Sequence, residues 1–90
     1  MSTVHALPAE VTMRSASAAL RGIEAALAGG GELTLDASAL ATLDSSAVAL
    51  LLQAQRLARS RGARVRLQGA PEKLRALAAL YGVESLLGST

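Results

Sequence analysis

The 90-residue sequence contains no cysteine, phenylalanine or tryptophan, and Tyr81 is its only aromatic residue. Without cysteine the chain can form neither a disulfide nor a thiolate metal site, and a reducing compartment is permitted. The arginines lack the stacking aromatic residues found in single-strand nucleic-acid sites, so we expect no nucleic-acid partner. The longest aliphatic run, residues 47–52, is far shorter than the roughly 20 residues of a membrane span, so we expect no membrane insertion.

Targeting and catalytic patterns are also missing. The first ten residues hold no basic segment followed by an apolar one, so we expect no signal peptide and a cytoplasmic protein. A serine nucleophile needs a base within hydrogen-bond reach, and the only histidine, His5, stands near the N-terminus. No G-x-S-x-G turn, phosphate-cradling glycine loop or cluster of metal ligands occurs. We therefore predict no enzyme activity, no catalytic residues, and neither a metal nor a cofactor.

What the sequence does contain indicates one globular domain with a basic half. Apolar residues make up 51% of the chain and the formal net charge is +2, which is typical of a folded protein. This length suffices for one core only, so we predict a single domain over residues 1–90. Seven lysines and arginines fall within residues 56–75, against the single acid Glu72. This excess favours an acidic protein surface, a phosphate-bearing ligand or a nearby membrane surface, with ordinary solvated side chains as the equal alternative.

The pattern of apolar residues and of helix and strand breakers predicts alternating strands and helices. Pro8 ends the first strand, and the glycines at 29–31 and at 62 end the first two helices. The predicted elements are a strand in residues 3–7, a helix capped by Thr12, a strand from residue 32, a helix over 45–61, a strand over 63–69, a helix from Pro71 to Gly82, and a short final segment, VESLL. This β-α-β-α-β-α order predicts an α/β fold with helices packed on a mostly parallel or mixed sheet.

The stretch Asp44-Ser45-Ser46 stands directly before the apolar second helix. Either Asp44 or Ser45 can accept hydrogen bonds from the free N–H groups of the first turn, and capping needs only one of them. A serine there is also well placed to carry a phosphate, since the helix dipole and free amides favour an anion. The residues thus leave open a cap, a phosphate acceptor and a partner contact. We expect Ser45 to begin the helix, partly exposed, with Asp44 beside it in the loop.

The second helix carries more apolar residues than one core-facing side needs. Val48, Leu52 and Arg56 fall away from that side, and apolar side chains beside arginines are typical of a protein interface. A wider buried face is the equal alternative, and Tyr81 is a further candidate for the exposed surface. The residues that we predict to be buried across the domain are Leu35, Leu50, Leu51, Leu57, Val65, Leu67, Leu74 and Leu77.

Residues 33–52, LTLDASALATLDSSAVALLL, resemble the core motif of STAS domains, the fold of the anti-sigma-factor antagonists. In that motif a strand ends in Leu-Asp, and Asp-Ser/Thr, a small residue and Gly-Leu lead into a helix. The C-terminal half, with VRLQG, Lys73 and LAALYG, is most similar to the MlaB-type STAS subunits of the Mla phospholipid transporters of Gram-negative bacteria. The resemblance covers nearly the whole chain after residue 6.

This resemblance implies a non-catalytic cytoplasmic subunit that binds the MlaF-like ATPase of an inner-membrane ABC complex, which preserves outer-membrane lipid asymmetry. The protein would then be peripheral to the inner membrane through its partner. Ser45 falls at the position that antagonists use as phosphate acceptor and that MlaB-type subunits place at the ATPase contact. The implied partner-binding residues are Ser45, Asp44, Ser46, Val48, Leu52, Arg56 and Tyr81.

The sequence departs from the family pattern in two places. Ala47-Val48 replaces the usual Gly-Leu, which adds a methyl group where a kinase backbone would approach closely. The N-terminus is also shorter than usual, so we expect the first strand of the opening hairpin to be shortened, with a sheet edge left open or covered by a partner. The alternative function that the resemblance leaves is an anti-anti-sigma-type phosphoswitch regulated by phosphorylation of Ser45.

Overall fold

The computed structural model describes residues 2–81, which form an α/β fold. The elements are, in chain order, β1 (Ser2–Ala6), β2 (Glu10–Val11), α1 (Ala16–Leu27), β3 (Glu32–Asp36), β4 (Thr42–Leu43), α2 (Ser45–Ser60), β5 (Arg64–Gln68) and α3 (Glu72–Leu80). The predicted α/β fold is thereby confirmed, with two short strands added to it, while Gly82 and the VESLL segment lie outside the described residues. No helix within residues 2–81 is both long and apolar enough to cross a membrane.

All strand pairs in this part of the chain are parallel. The larger sheet has the order β1-β3-β5, with Val4 opposite Thr34 and Thr34 opposite Arg66. A second, two-residue ladder joins β2 to β4. Parallel neighbours cannot be joined by a tight hairpin, which is why α1 and α2 lie between the long strands as crossover connections.

The larger sheet has an apolar face and a polar face, since side chains alternate along a strand. Leu33, Leu35 and Leu67 are buried in the core together with the apolar sides of the three helices. On the opposite face Val4 is 67% exposed and Arg66 is exposed. The core therefore lies on one side of the sheet. One face of α2 is buried in this core, and the other face is exposed to solvent.

The first helix begins at Ala16, so the predicted cap at Thr12 is wrong. Thr12 instead opens a turn, in which its N–H donates to the Oγ of Ser15 at 3.0 Å and its carbonyl oxygen accepts the N–H groups of Ser15 and Ala16. The apolar spacing was informative all the same, because Ile23 and Leu27 are buried. Because these local hydrogen bonds hold residues 12–15 in a turn, the helix begins about one turn later than predicted.

Five of the eight side chains that were predicted to be buried are buried. The predicted core residues that are buried are Leu35, Leu50, Leu51, Leu67 and Leu74. The prediction of full burial is wrong for Leu57, Val65 and Leu77, which are half-buried and pack against the core from its rim. Val65 lies on β5, an edge strand of the β1-β3-β5 sheet, so only one side of β5 has a neighbouring strand within residues 2–81.

Candidate functional site

Ser45 is the first residue of α2 and its side chain is exposed. The expectation that it begins the helix is confirmed. The short strand β4 ends two residues earlier and is paired with β2, which fixes the chain immediately before the helix. Ser45 is therefore presented from a defined backbone position, not from a long loop.

Asp44 is the N-terminal cap of α2. Its backbone is extended, with φ −133° and ψ −166°, and its carboxylate accepts the N–H of Ser46 at 2.8 Å and the N–H of Met13 at 3.2 Å. The hydrogen bond from the Ser46 N–H is the main reason why the pKa of Asp44 is lowered, so the group is a carboxylate at neutral pH. The capping role that the sequence left between Asp44 and Ser45 belongs to Asp44.

The Ser45 side chain borders a groove with a volume of about 310 Å³. Within residues 2–81 the other lining residues are Val48, Ala49, Leu52 and Tyr81. Spacings of three and four place Ser45 and the three other α2 residues on one face of that helix. Tyr81 directly follows α3, which packs beside α2. The groove is thus a mainly apolar depression that is bordered by two hydroxyl-bearing side chains, Ser45 and Tyr81.

The predicted exposed strip is only partly present. Val48 is 4% exposed, so its placement on the open surface is wrong, and the wider buried face describes α2 better. Val48 forms the floor of the groove, Leu52 is half-buried in its wall, and Tyr81 is 55% exposed at its rim. Arg56 is exposed one turn further along α2 and does not line the groove.

Sequence reasoning missed the segment that lies beside the cap. Met13 is 82% exposed, and its N–H binds Asp44 across 31 positions of sequence. A second cavity of about 430 Å³ lies between this segment and Asp44. The pairing of β2 with β4 brings the two together, and strands of two residues are too short to show the alternation by which strands are recognised.

The described residues of the groove offer a binding surface and include no pairing of a nucleophile with a histidine base. Among residues 2–81 no group of three histidine, aspartate or glutamate residues is placed to hold a metal ion. His5 lies in β1, where its imidazole is 3.3 Å from the position that a Cβ on Gly22 of α1 would take. The histidine therefore packs against α1 and is not among the residues that line the groove with Ser45.

The family model described as "Mlab, STAS domain" matches residues 2–88, which is nearly the whole chain. No curated protein matches the chain. The matched span includes the Asp44-Ser45-Ser46 motif and all five described residues that line the groove.

Proposed function

Because this chain belongs to the MlaB-like family of STAS domains, we propose that it is a non-catalytic subunit that docks on the ATPase of an Mla-type phospholipid ABC transporter. Membership of a STAS family supports a binding or regulatory role in general. The proposal adds the partner, an MlaF-like ATPase, and a cytoplasmic position at the inner membrane that is held through that partner. It follows that the protein supports the transport which maintains outer-membrane lipid asymmetry.

The observation that carries this proposal is the groove beside Ser45. An apolar depression with a half-buried leucine in its wall and an exposed tyrosine at its rim has the composition of an interface anchor site. A partner side chain seated there would cover Leu52 and Tyr81 and bring the Ser45 hydroxyl within reach of a polar group. The volume suits one or two side chains of a partner.

The remaining predicted residues have indirect roles in this proposal. Asp44 and the backbone of Ser46 hold the first turn of α2, so they position Ser45 and do not themselves form the apolar contact. Arg56 lies beyond the groove on the same helix, where an exposed guanidinium suits the polar rim of an interface. Val48 supports the groove from below.

The second candidate function is a phosphoswitch at Ser45, and the exposure of that side chain at a helix N-terminus favours it. The Asp44 carboxylate opposes it, because it already occupies the Ser46 N–H and would repel a phosphate on the next residue. The methyl group of Ala47 does not oppose it. Ala47 is buried in the core, so the expectation that this methyl group meets an approaching kinase is wrong.

The test is the affinity between the purified domain and the Mla-type ATPase of its source organism. Ser45→Glu should weaken binding roughly 10- to 100-fold, because it brings a charge into a desolvated contact. Ser45→Ala should cost much less, since Asp44 retains the cap. Ser17→Glu is the matched control, because Ser17 is an exposed serine in the first turn of α1 and lies outside the groove.

Equal affinities for Ser45→Glu, Ser17→Glu and wild type would remove the groove as the docking site. Failure of the folded wild-type domain to bind the ATPase at all would contradict the transporter proposal. Stoichiometric phosphorylation of Ser45 by a co-purifying serine kinase would then favour the phosphoswitch.

A further inference from the structure

A third cavity, of about 510 Å³, lies at the opposite end of α2 from the groove. Three arginines line it, Arg59 from the last turn of α2 and Arg64 and Arg66 from β5. All three side chains are exposed, and none forms an ion pair or a hydrogen bond with another of residues 2–81. We call this cavity the arginine pocket.

The charges that line the arginine pocket do not balance. Among residues 2–81, Glu32 is the only acidic lining residue, and it stands opposite Arg64 in the β3–β5 register. The described lining residues therefore comprise three arginines and one acid, a formal excess of two positive charges. Like charges held close together repel one another, so an anion bound between them would relieve this repulsion.

The end of α2 does not oppose an anion as a bare helix C-terminus would. Two carbonyl oxygens of its last turn are already hydrogen-bonded, that of Ala58 to the N–H of Ala63 at 2.7 Å and that of Arg59 to the N–H of Gly62 at 3.2 Å. Gly62 makes this closure possible with a φ of +68°. The partial negative charge of the helix end is therefore partly offset by backbone N–H groups.

The edge of β5 that faces away from β3 adds a backbone donor. The N–H of Arg64 donates to the carbonyl oxygen of Gly31 at 3.0 Å, on the side of β3. Successive backbone groups of a strand point to opposite sides, so the N–H of Val65 points away from β3, toward an edge with no neighbouring strand among the described residues. Val65 lines the arginine pocket, which places this edge beside the three guanidinium groups.

We propose that the arginine pocket binds a phosphate group. A guanidinium offers parallel N–H donors that match phosphate oxygens, and a phosphate can accept from several arginines at once, whereas a carboxylate is matched by one or two. The volume lies in the range of small-molecule sites. The phosphate can belong to a soluble anion or to a lipid headgroup, and the experiment separates these sources.

Arginines on an edge strand can instead protect that edge, and this alternative explanation makes a different prediction. Charged side chains keep an exposed strand edge from pairing with a second chain. In that case Arg64 and Arg66 would bind no phosphate in a saturable way, and their removal would promote self-association instead. The contribution of Arg59, from α2, distinguishes the two explanations, because it does not lie on the edge strand.

The experiment titrates the ¹⁵N-labelled full chain with inorganic phosphate at constant ionic strength and follows the amide resonances of Ala63 and Val65. The wild type should show saturable shifts at both amides. In Arg64→Gln/Arg66→Gln, and in Arg59→Gln, binding should be about tenfold weaker or more, the loss expected for a charge-assisted hydrogen bond. Arg21→Gln, at an exposed position of α1, is the control that removes the same charge elsewhere.

Two further probes distinguish the source of the phosphate group and test an acidic peptide as the alternative ligand. Flotation with phosphatidylglycerol-containing vesicles that is lost in Arg64→Gln/Arg66→Gln would assign the site to a headgroup, and saturation by inorganic phosphate without flotation would assign it to a soluble anion. Tighter binding of a glutamate-rich peptide than of either phosphate probe would overturn the proposal in favour of an acidic protein segment. Absence of saturable binding, or equal binding by the folded arginine variants and wild type, would also overturn it.

Discussion

The two ends of α2 are held in place by different chemistry. At the N-terminus a side chain does so, since the Asp44 carboxylate accepts the N–H groups of Ser46 and Met13. At the C-terminus the backbone does so, through the hydrogen bonds around Gly62. The first end depends on an ionisable group and on a distant loop, whereas the second depends only on a residue that tolerates a positive φ. Acid should therefore affect the first and leave the second unchanged.

The surfaces at the two ends of α2 also differ in polarity and charge. The groove beside Ser45 is mainly apolar, while the arginine pocket carries an excess of positive charge. Ser45 and Arg59 are about 21 Å apart along the helix axis, so the two sites are separate yet share one face of one helix. Binding at the groove should depend on buried area, and binding at the arginine pocket should depend on ionic strength.

The largest loss of stability should come from a substitution in the buried face of α2, which anchors both ends of the helix to the core. Leu51 is 6% exposed in α2, so Leu51→Ala should lower the free energy of unfolding by about 2–5 kcal/mol. Leu52→Ala removes the same atoms from the next residue, which is half-buried in the groove wall, and should cost less stability but more partner affinity. Urea unfolding of both variants measures the difference, and equal losses would mean that the groove is part of the core.

The next effect concerns the C-terminal end of α2. Gly62→Ala should lower the free energy of unfolding by about 1–2 kcal/mol, because a side chain is strained at a φ of +68° although nothing lies within 4 Å of the added Cβ. This cost should be the same at pH 7 and at pH 3. Gly29→Ala is the control, with equally open space and no positive φ, and it should be neutral or slightly stabilising. A loss that varied with pH would show that an ionisable group also holds this end.

The N-terminal end should respond differently. Asp44→Ala should lower Tm by roughly 4–8 °C at pH 7, the usual effect of a lost helix cap in a small domain. Because hydrogen bonding lowers the pKa of Asp44 in the folded state, its ionic contribution is complete above the unfolded pKa, near 4, and is lost as the pH falls through the folded pKa. Thermal unfolding from pH 7 to pH 2 should therefore show the two proteins converging in acid. A constant difference in Tm would contradict the role of the carboxylate.

The fold was predictable from the sequence where periodicity is long. The spacing of apolar residues in α1 and α2 and the alternation in β3 and β5 are sufficient to place those elements. The start of α1 was not predictable, because a hydrogen bond between Thr12 and Ser15 decided it. The β2–β4 ladder is two residues long and exists only through contact between distant segments.

The candidate site was predictable in its centre and less so at its edges. The motif placed Ser45 at the start of α2, and helical spacing placed Leu52 on the same side. Spacing alone could not tell that Val48 is covered, because the width of a buried face depends on what packs against it. The Met13 contact was missed for the same reason as β2, since it joins residues 31 positions apart.

The smallest expected effect lies between the two sites. Arg56 is exposed on α2, beyond the groove and before Arg59, so Arg56→Glu should leave stability unchanged. If the ATPase presents acidic groups there, the substitution should slow association about tenfold at low ionic strength, and the difference should fade toward 1 M salt, where the screening length is about 3 Å. The dissociation rate should change little, in contrast to Ser45→Glu, which should act mainly on dissociation. Stopped-flow association at several salt concentrations measures this, with Arg21→Glu on α1 as the control for net charge. Equal slowing by both variants would mean that overall charge, and not this face of α2, steers the encounter.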